Sequence, residues 1–553
     1  MITADRGHVA RVAPVELRSF ELCTGCHRAF LDRTTGNAHH LIGQDDVTPW
    51  QRSPYAGSEL HLLDEELPQR DCRGCHMPQE PAILGDVAAT EGKVASHRFL
   101  GAHTWLAAIR GDTGTLSRTQ DFLRGVASID VAAVVSSRGE RTLPADGARV
   151  TPGEPLTLEL VLRNRHVGHR FPGGVMDAQD AWVEVEIRDA TGALLAEAGA
   201  DHAATGEDPT AHRLRSAMVG DDGKPILERQ TNRFRGGVFN HTLAPRETAV
   251  VEVTFDVPAS LPPTALPLSV LARLRHRTRN LPLQKVACEA SQSPRGKAFR
   301  GARARSELDA CVAQPVTEIA ESVVWLGDGS EVYPSSHLLP PWQRAYEHGL
   351  GWLRSLQERV GEARPSLLLA LDQVEQTGTF RERAMVLSAL GMLAVREGRA
   401  EEAMSWLARA EQYEPNHPAI AYLRGLAHAQ VWRWPAAAEW YDEAMHAAGY
   451  DDRFFMDLAL ARGSAGDDEG ALLAAQLGLS VQPRDADLLR IQALSLSALG
   501  APASEVALAE DAYARVFPAD VIPQVRAKCS ATVPGCAAAR NPVHRVSARP
   551  VRD

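Results

Sequence analysis

The sequence predicts a multidomain chain in three structural styles: a loop-rich, mainly helical N-terminal region, a central antiparallel β-sandwich and a C-terminal all-α solenoid. Three observations predict it. Two Cys-x-x-Cys-His pentapeptides, Cys23–His27 and Cys72–His76, lie within the first 80 residues. From about 129 to 327 apolar and polar residues alternate, the period of half-buried strands. From about 340 to 520 small residues recur at a fixed 34-residue step, the signature of a stacked helical repeat.

Residues 1–128 mix short helical stretches with long loops, as expected where a bound group supplies much of the core. The run from Thr104 to Gly125 predicts a helix that closes this region. In residues 129–327 the runs starting at Leu156, Ala181, Ala249 and Leu268 alternate over eight or nine residues. Turn clusters such as Ala190-Thr191-Gly192 and Asp221-Asp222-Gly223 separate them, which suggests a β-sandwich. The stretch from Asp201 to Arg235 reads as a long polar loop. In residues 328–520 Gly391, Gly425 and Ala459 are 34 residues apart, as are Ala403, Ala437 and Ala471, and Ala410, Ala444 and Gly478. Pro415, Gly449 and Pro483 keep the same step as helix breakers. This is the period of the tetratricopeptide repeat, with degraded repeats expected around Trp342–Glu375 and Leu488–Phe517. The Arg- and Pro-rich tail, 521–553, is expected to be disordered.

Each Cys-x-x-Cys-His run reads as a covalent attachment site for haem c. The two thiols add across the haem vinyl groups and the adjacent histidine becomes the proximal iron ligand. The cofactor-binding residues are therefore Cys23, Cys26, His27, Cys72, Cys75 and His76, for two haems. Two other chemistries use paired cysteines. A four-thiolate zinc site would place its second pair roughly 15–20 residues after the first, and it would not need the histidines. A thioredoxin-like redox site expects one pair in a strand–helix context.

The net charge of −11 argues against nucleic acid as a partner. No stretch approaches the roughly 20 apolar residues of a membrane span. Haem c attachment is expected outside the bacterial inner membrane, yet residues 1–22 lack the apolar core of a signal peptide. The reading is an exported, periplasmic protein whose true start lies upstream. The pairs Cys288/Cys311 and Cys529/Cys536 are expected disulfides, which agree with an oxidising compartment.

Each iron needs a second protein ligand or an open face. The candidates are His97 and His103 in Ser-His-Arg-Phe-Leu-Gly-Ala-His, and His169 in Gly-His-Arg-Phe-Pro-Gly-Gly. The glycines of the second run let its backbone approach another group closely. His39, His40, His61, Met77 and Met176 are weaker candidates.

The Cys-Arg-Gly-Cys-His-Met-Pro run and these two His-Arg-Phe runs resemble multihaem cytochromes c of the class related to the tetrahaem nitrifier cytochromes. The resemblance covers roughly 1–340, and in several such bacterial proteins tetratricopeptide repeats follow on the same chain. It implies periplasmic electron transfer through closely packed haems, often with two histidines per iron. His27 and His76 then become proximal ligands, and His97, His103 and His169 distal candidates. This chain departs in having only two motifs. The expected function is an electron carrier whose repeats dock a protein partner, with redox proteins as further partners. Two alternatives stand: a redox enzyme with an open haem face acting on a small nitrogen or sulfur compound, and a repeat interaction protein with a zinc site.

Overall fold

The structure is a computed structural model that describes residues 19–31, 35, 41–60, 63–86, 89–200, 207–303, 308–330, 333, 339–355 and 357–516. His39, His40, His61, Cys529, Cys536 and the tail 521–553 lie outside the described residues. The chain forms two compact units. One comprises Met1–Ala29, Gly43–Pro49 and Gln69–Gly351; the other comprises Phe30–Ile42, Trp50–Pro68 and Trp352–Asp553. Among the described residues no helix is long and apolar enough to cross a membrane.

The N-terminal part of the chain is mixed. It holds the short helices α1 (Glu21–His27), α2 (Val47–Gln51) and α3 (Cys72–His76). Two short ladders accompany them, β1 (Arg28–Leu31) with β2 (Leu41–Asp45) and β3 (Gln79–Pro81) with β4 (Lys93–Ala95). The expected helical run after Thr104 is two helices, α4 (Thr104–Ile109) and α5 (Thr113–Leu123). Gly111 turns the chain between them at φ 63°, a left-handed conformation open to glycine without steric cost. Asp112 then caps α5 by accepting from the Thr115 amide.

Two antiparallel sheets follow. The first runs β13-β7-β5-β6, from β5 (Ala127–Ser136), β6 (Arg141–Thr142), β7 (Pro155–Asn164) and β13 (Thr248–Asp256). The second runs β10-β8-β14-β15, with β9 paired to β8. Its strands are β8 (Asp180–Arg188), β9 (Leu194–Ala198), β10 (Arg213–Leu214), β14 (Leu268–Arg277) and β15 (Thr317–Leu326). Leu158, Leu160 and Leu162 of β7 and Val270, Ala272 and Leu274 of β14 belong to one hydrophobic cluster. The four alternating runs are thus strands, because alternate side chains leave water for that shared core.

The stretch read as a polar loop contains β10 and β11 (Ser216–Val219), the latter paired with β12 (Gly236–Asn240). Part of its polarity misleads because one charge is internal: Arg213 donates to buried Asp180 at 2.9 Å. Helices α6 (Leu281–Gln292) and α7 (Pro294–Ala302) lie between β14 and β15. Cys288 and Cys311 form the expected disulfide.

Helix α8 (Pro341–Leu353) packs on the first sheet through charged side chains. Arg163 of β7 donates to Glu347 at 2.7 Å with both side chains buried, and Arg165 donates to the same carboxylate. Arg344 donates to Asp130 at 2.9 Å. His348 meets Glu159 at 2.8 Å, and Glu159 also accepts from Arg141. Gly351 permits the close approach, since a Cβ there would lie 2.7 Å from Val250.

The second unit is helical: α9 (Ala363–Thr377), α10 (Phe380–Arg396), α11 (Ala400–Glu411), α12 (Pro418–Gln430), α13 (Trp434–Ala444), α14 (Asp452–Ala465), α15 (Asp468–Val481), α16 (Ala486–Ala498) and α17 (Ala503–Val516). Helix starts at Pro418, Asp452 and Ala486 keep the 34-residue step, as do those at Ala400, Trp434 and Asp468. The recurring small residues are where helices touch. Ala403, Ala410, Ala437, Ala444 and Ala471 are fully buried. A Cβ on Gly391 would fall 2.8 Å from Leu407, and one on Gly478 2.6 Å from Leu488. At Gly425 it would fall 2.3 Å from the buried ring of Tyr441. Gly425→Ala is therefore expected to overpack α12 against α13 and cost about 1–3 kcal/mol, measured by urea denaturation followed by circular dichroism.

Residues 50–68, far earlier in the chain, belong to this helical unit. Arg52 donates twice to Asp452, at 2.6 and 2.7 Å, across 400 residues of sequence. Ser58 donates to Asp451 at 3.2 Å, the Glu59 amide to Ala447 at 3.2 Å and Arg381 to the Asp64 carbonyl at 2.8 Å.

Candidate functional site

Both motifs are helical turns. Cys23, Cys26 and His27 lie on α1, and Cys72, Cys75 and His76 form α3. Positions i, i+3 and i+4 share one helix face, so each turn offers two thiols and an imidazole on one side. Asp71 starts α3 as its N-cap, accepting from the Arg73 and Gly74 amides. None of the four cysteines is in a disulfide and none is fully buried. The turns also meet each other: burial and the neighbouring Cys23 thiol push Cys72 up to about 12, so this thiol is protonated at neutral pH.

The histidines of the two motifs are held by the same nitrogen. His27 Nδ1 lies 3.2 Å from Asp46 Oδ2, and that hydrogen bond raises the histidine pKa. His76 Nδ1 lies 2.5 Å from the Leu100 carbonyl oxygen. A carbonyl can only accept, so Nδ1 of His76 carries the proton and Nε2 is the nitrogen with a free lone pair. A carboxylate on Nδ1 selects the same tautomer at His27. Fixing one imidazole nitrogen by an acceptor is how proteins orient metal-binding histidines. Burial lowers the pKa of His76 and keeps it neutral.

His169 comes to the same place. Its ring is nearly parallel to that of His76, at 8°, with centroids 6.2 Å apart. Its Nδ1 lies 2.9 Å from the Arg170 carbonyl, again leaving Nε2 free. The Gly-His-Arg-Phe-Pro-Gly-Gly loop explains how it gets there. Phe171 is buried. Asn164 donates to the His169 carbonyl at 3.0 Å. A Cβ on Gly173 would lie 2.2 Å from His169 Cε1, so only glycine leaves room for the ring. The Gly174 amide donates to Asp46 Oδ1 at 2.6 Å.

Asp46 is the residue that inspection of the motifs missed. Its carboxylate touches His27 through Oδ2 and lies 3.8 Å from His169 Nδ1 through Oδ1. Gln44 also donates to Oδ2, at 3.1 Å. Burial alone would raise this carboxyl, but His169 and the donors from His27, Gly174 and Gln44 outweigh it and hold the group well below the ordinary carboxylate range. A lone Asp 19 residues after a histidine carries no sequence signal.

The other expected ligands divide. His103 is exposed and close enough to His27 to lower its own pKa, after partial burial and Arg279. His97 is exposed and meets Phe99 edge-on at 6.0 Å. No described contact links His97 to His27, His76 or His169. The Met176 sulfur is engaged by Thr242 at 3.5 Å. Among the described residues no group of three or more His, Cys, Asp or Glu side chains is arranged to hold a metal ion. A covalent haem requires no such group, because the porphyrin supplies the four equatorial ligands. A cavity of about 420 Å³ lined by Glu207, His212, Arg213, Phe239 and His241 includes none of the motif residues.

No family model matches the chain, and no curated protein matches it. Among solved structures it is similar to a penta-heme cytochrome c552 from Thermochromatium tepidum, at 19% sequence identity with a TM-score of 0.32. The match covers 56% of this chain and 57% of that one, so the chain spans little more than half the length of that protein. A TM-score this low carries no argument about fold or chemistry.

Proposed function

We propose that this chain is an electron-transfer protein that binds two haems covalently, one at Cys23, Cys26 and His27 and one at Cys72, Cys75 and His76. The observation that carries the reading is the shared design of the two turns. Each presents two unbonded thiols and an imidazole on one helix face, with Nδ1 tied to an acceptor and Nε2 free. Haem bound there would supply a one-electron iron couple.

For the iron at His76 we take His169 as the distal ligand rather than His97. Two imidazoles on opposite faces of one metal, each through a metal–nitrogen bond of roughly 2 Å, have centroids roughly 6 Å apart. The observed 6.2 Å and 8° suit that arrangement, whereas no described contact links His97 to His76. His103, which feels His27, is the candidate for the other iron. Two ligands per iron favour electron transfer over catalysis at an open face. The zinc reading finds no support in the geometry of the four thiols.

The sheets are read as a β-sandwich and the helix pairs as tetratricopeptide repeats, whose surface is left for a protein partner. In this reading residues 1–128 are the haem domain, 129–327 the sandwich and 328–520 the repeats. The Cys288–Cys311 disulfide supports residence in an oxidising compartment such as the periplasm. The test is the full chain purified from a bacterium that matures c-type cytochromes. A pyridine haemochrome assay is expected to give two haems per chain, and the visible spectrum low-spin bands. Protein without haem would overturn the proposal. His97→Ala is expected to leave the spectrum unchanged.

A further inference from the structure

Asp46 has two oxygens, and each faces a different histidine. Oδ2 accepts from Nδ1 of His27, the proximal histidine of the first motif, at 3.2 Å. Oδ1 faces Nδ1 of His169 at 3.8 Å, a charge contact beyond hydrogen-bond range. His169 in turn lies parallel to His76 of the second motif. One carboxylate therefore stands behind His27 of the first motif and behind His169, the ring stacked against His76 of the second. It is a built position: the Asp46 side chain is only 14% exposed, the Gly174 amide holds Oδ1 and Gln44 holds Oδ2. The Asp46 amide also donates to the His27 carbonyl at 3.1 Å, which fixes backbone as well as side chain.

We infer that Asp46 is a positioning residue shared by both haem sites, a single negative charge that sets the two reduction potentials together. This rests on the haem assignment proposed above. Two physical effects act in the same direction. A carboxylate accepting from Nδ1–H makes an imidazole a stronger donor to its metal, which favours the oxidised iron. A fixed anion near a centre favours its more positive state through Coulomb attraction, and in a partly buried site water screens this little. The first effect acts through His27 alone, where a hydrogen bond exists. The second reaches both sites. A carboxylate serving only one motif would not need its second oxygen beside His169, and the Gly174 amide would not need to hold it there.

The test is redox titration of the full, haem-loaded chain, followed separately at each haem at one fixed pH. Asp46→Asn keeps the shape and an acceptor oxygen but removes the charge. Both midpoint potentials are expected to rise, the one at His27 more, by on the order of tenfold in the one-electron equilibrium, about 59 mV, while the bands stay low-spin. A merely structural role would instead change spin state or haem content. If both haems are present and only one potential moves, or neither, the shared role is overturned. Should Asp46→Asn lose a haem, Gln44→Leu decides. It leaves the carboxylate in place, removes a donor to Oδ2 that also lies 3.4 Å from His27 Nδ1, and is expected to lower both potentials, the one at His27 more; an unchanged potential at the His76 haem overturns the inference. Wild-type protein lacking haem would overturn the haem assignment itself, and so is distinguishable from failure of the Asp46 role alone.

Discussion

Under the proposed haem assignment, Gly173→Ala is expected to turn the haem at His76 from low-spin to high-spin. The new Cβ would lie 2.2 Å from His169 Cε1 and 2.4 Å from Nδ1, distances that no side-chain packing tolerates. Something must move, and the surroundings decide what. The backbone of the loop is held by Asn164 at the His169 carbonyl, by buried Phe171 and by the Gly174 amide on Asp46. The imidazole, 26% exposed, is the part free to swing away. Ligation through its Nε2 would then be lost, while the covalent bonds at Cys72 and Cys75 keep the haem in place. Electron paramagnetic resonance of the oxidised protein reads the change directly, and His169→Ala should reproduce it. An unchanged low-spin spectrum in both variants would show that His169 is not a ligand.

Glu347→Ala should be the most destabilising single change in the sheet unit. The carboxylate of Glu347 is buried between Arg163, itself 1% exposed, and Arg165. Removing it takes a shared carboxylate from two guanidinium groups where water cannot easily replace it. Breaking a buried pair in this way costs about 3–5 kcal/mol. Urea denaturation is the check, and a loss below about 1 kcal/mol would mean that other acceptors take over. The pH dependence has a definite sign. Burial raises the Glu347 pKa, but Arg163 and Arg165 outweigh it and the folded value lies below 4.5. Its contribution is therefore complete above the unfolded carboxylate pKa and is lost as pH falls through the folded value. Glu347→Gln should flatten that part of the acid limb.

The contrast between these sites and the repeats shows what a sequence can announce. The two motifs are local chemistry, complete within five residues. The helix pairs announce themselves through a fixed step, because every repeat solves the same packing problem with the same small residue. Strands β8, β13 and β14 alternate because one face is buried in the shared core; β7 alternates in residue type too, but its charged face, with Glu159 and Arg163, is buried beneath α8. Strand β5 does not alternate: Asp130 to Val134 are all buried, so the period that identifies a strand is absent. The Gly-rich loop of His169 was legible as a close approach, though not what it approaches. Asp46, Gln44 and the Leu100 carbonyl were not legible at all, since their roles arise from segments that meet only in the fold. The charge pairs of α8 were equally hidden. Arg344, Glu347 and His348 read as the polar side of a repeat helix, yet all three are buried against strand residues some 180 to 215 positions earlier.

The strap of residues 50–68 bears on the order of events as the chain is made. It joins the two Cys-x-x-Cys-His turns, yet the groups that hold it, Asp451 and Asp452, emerge about 400 residues later. At bacterial synthesis rates of about 5–20 residues per second, that is on the order of tens of seconds. Throughout this interval the strap lacks its partners, and the two turns are joined by a slack tether. Contacts so distant in sequence also form slowly, so this segment is among the last parts of the helical unit to be fastened.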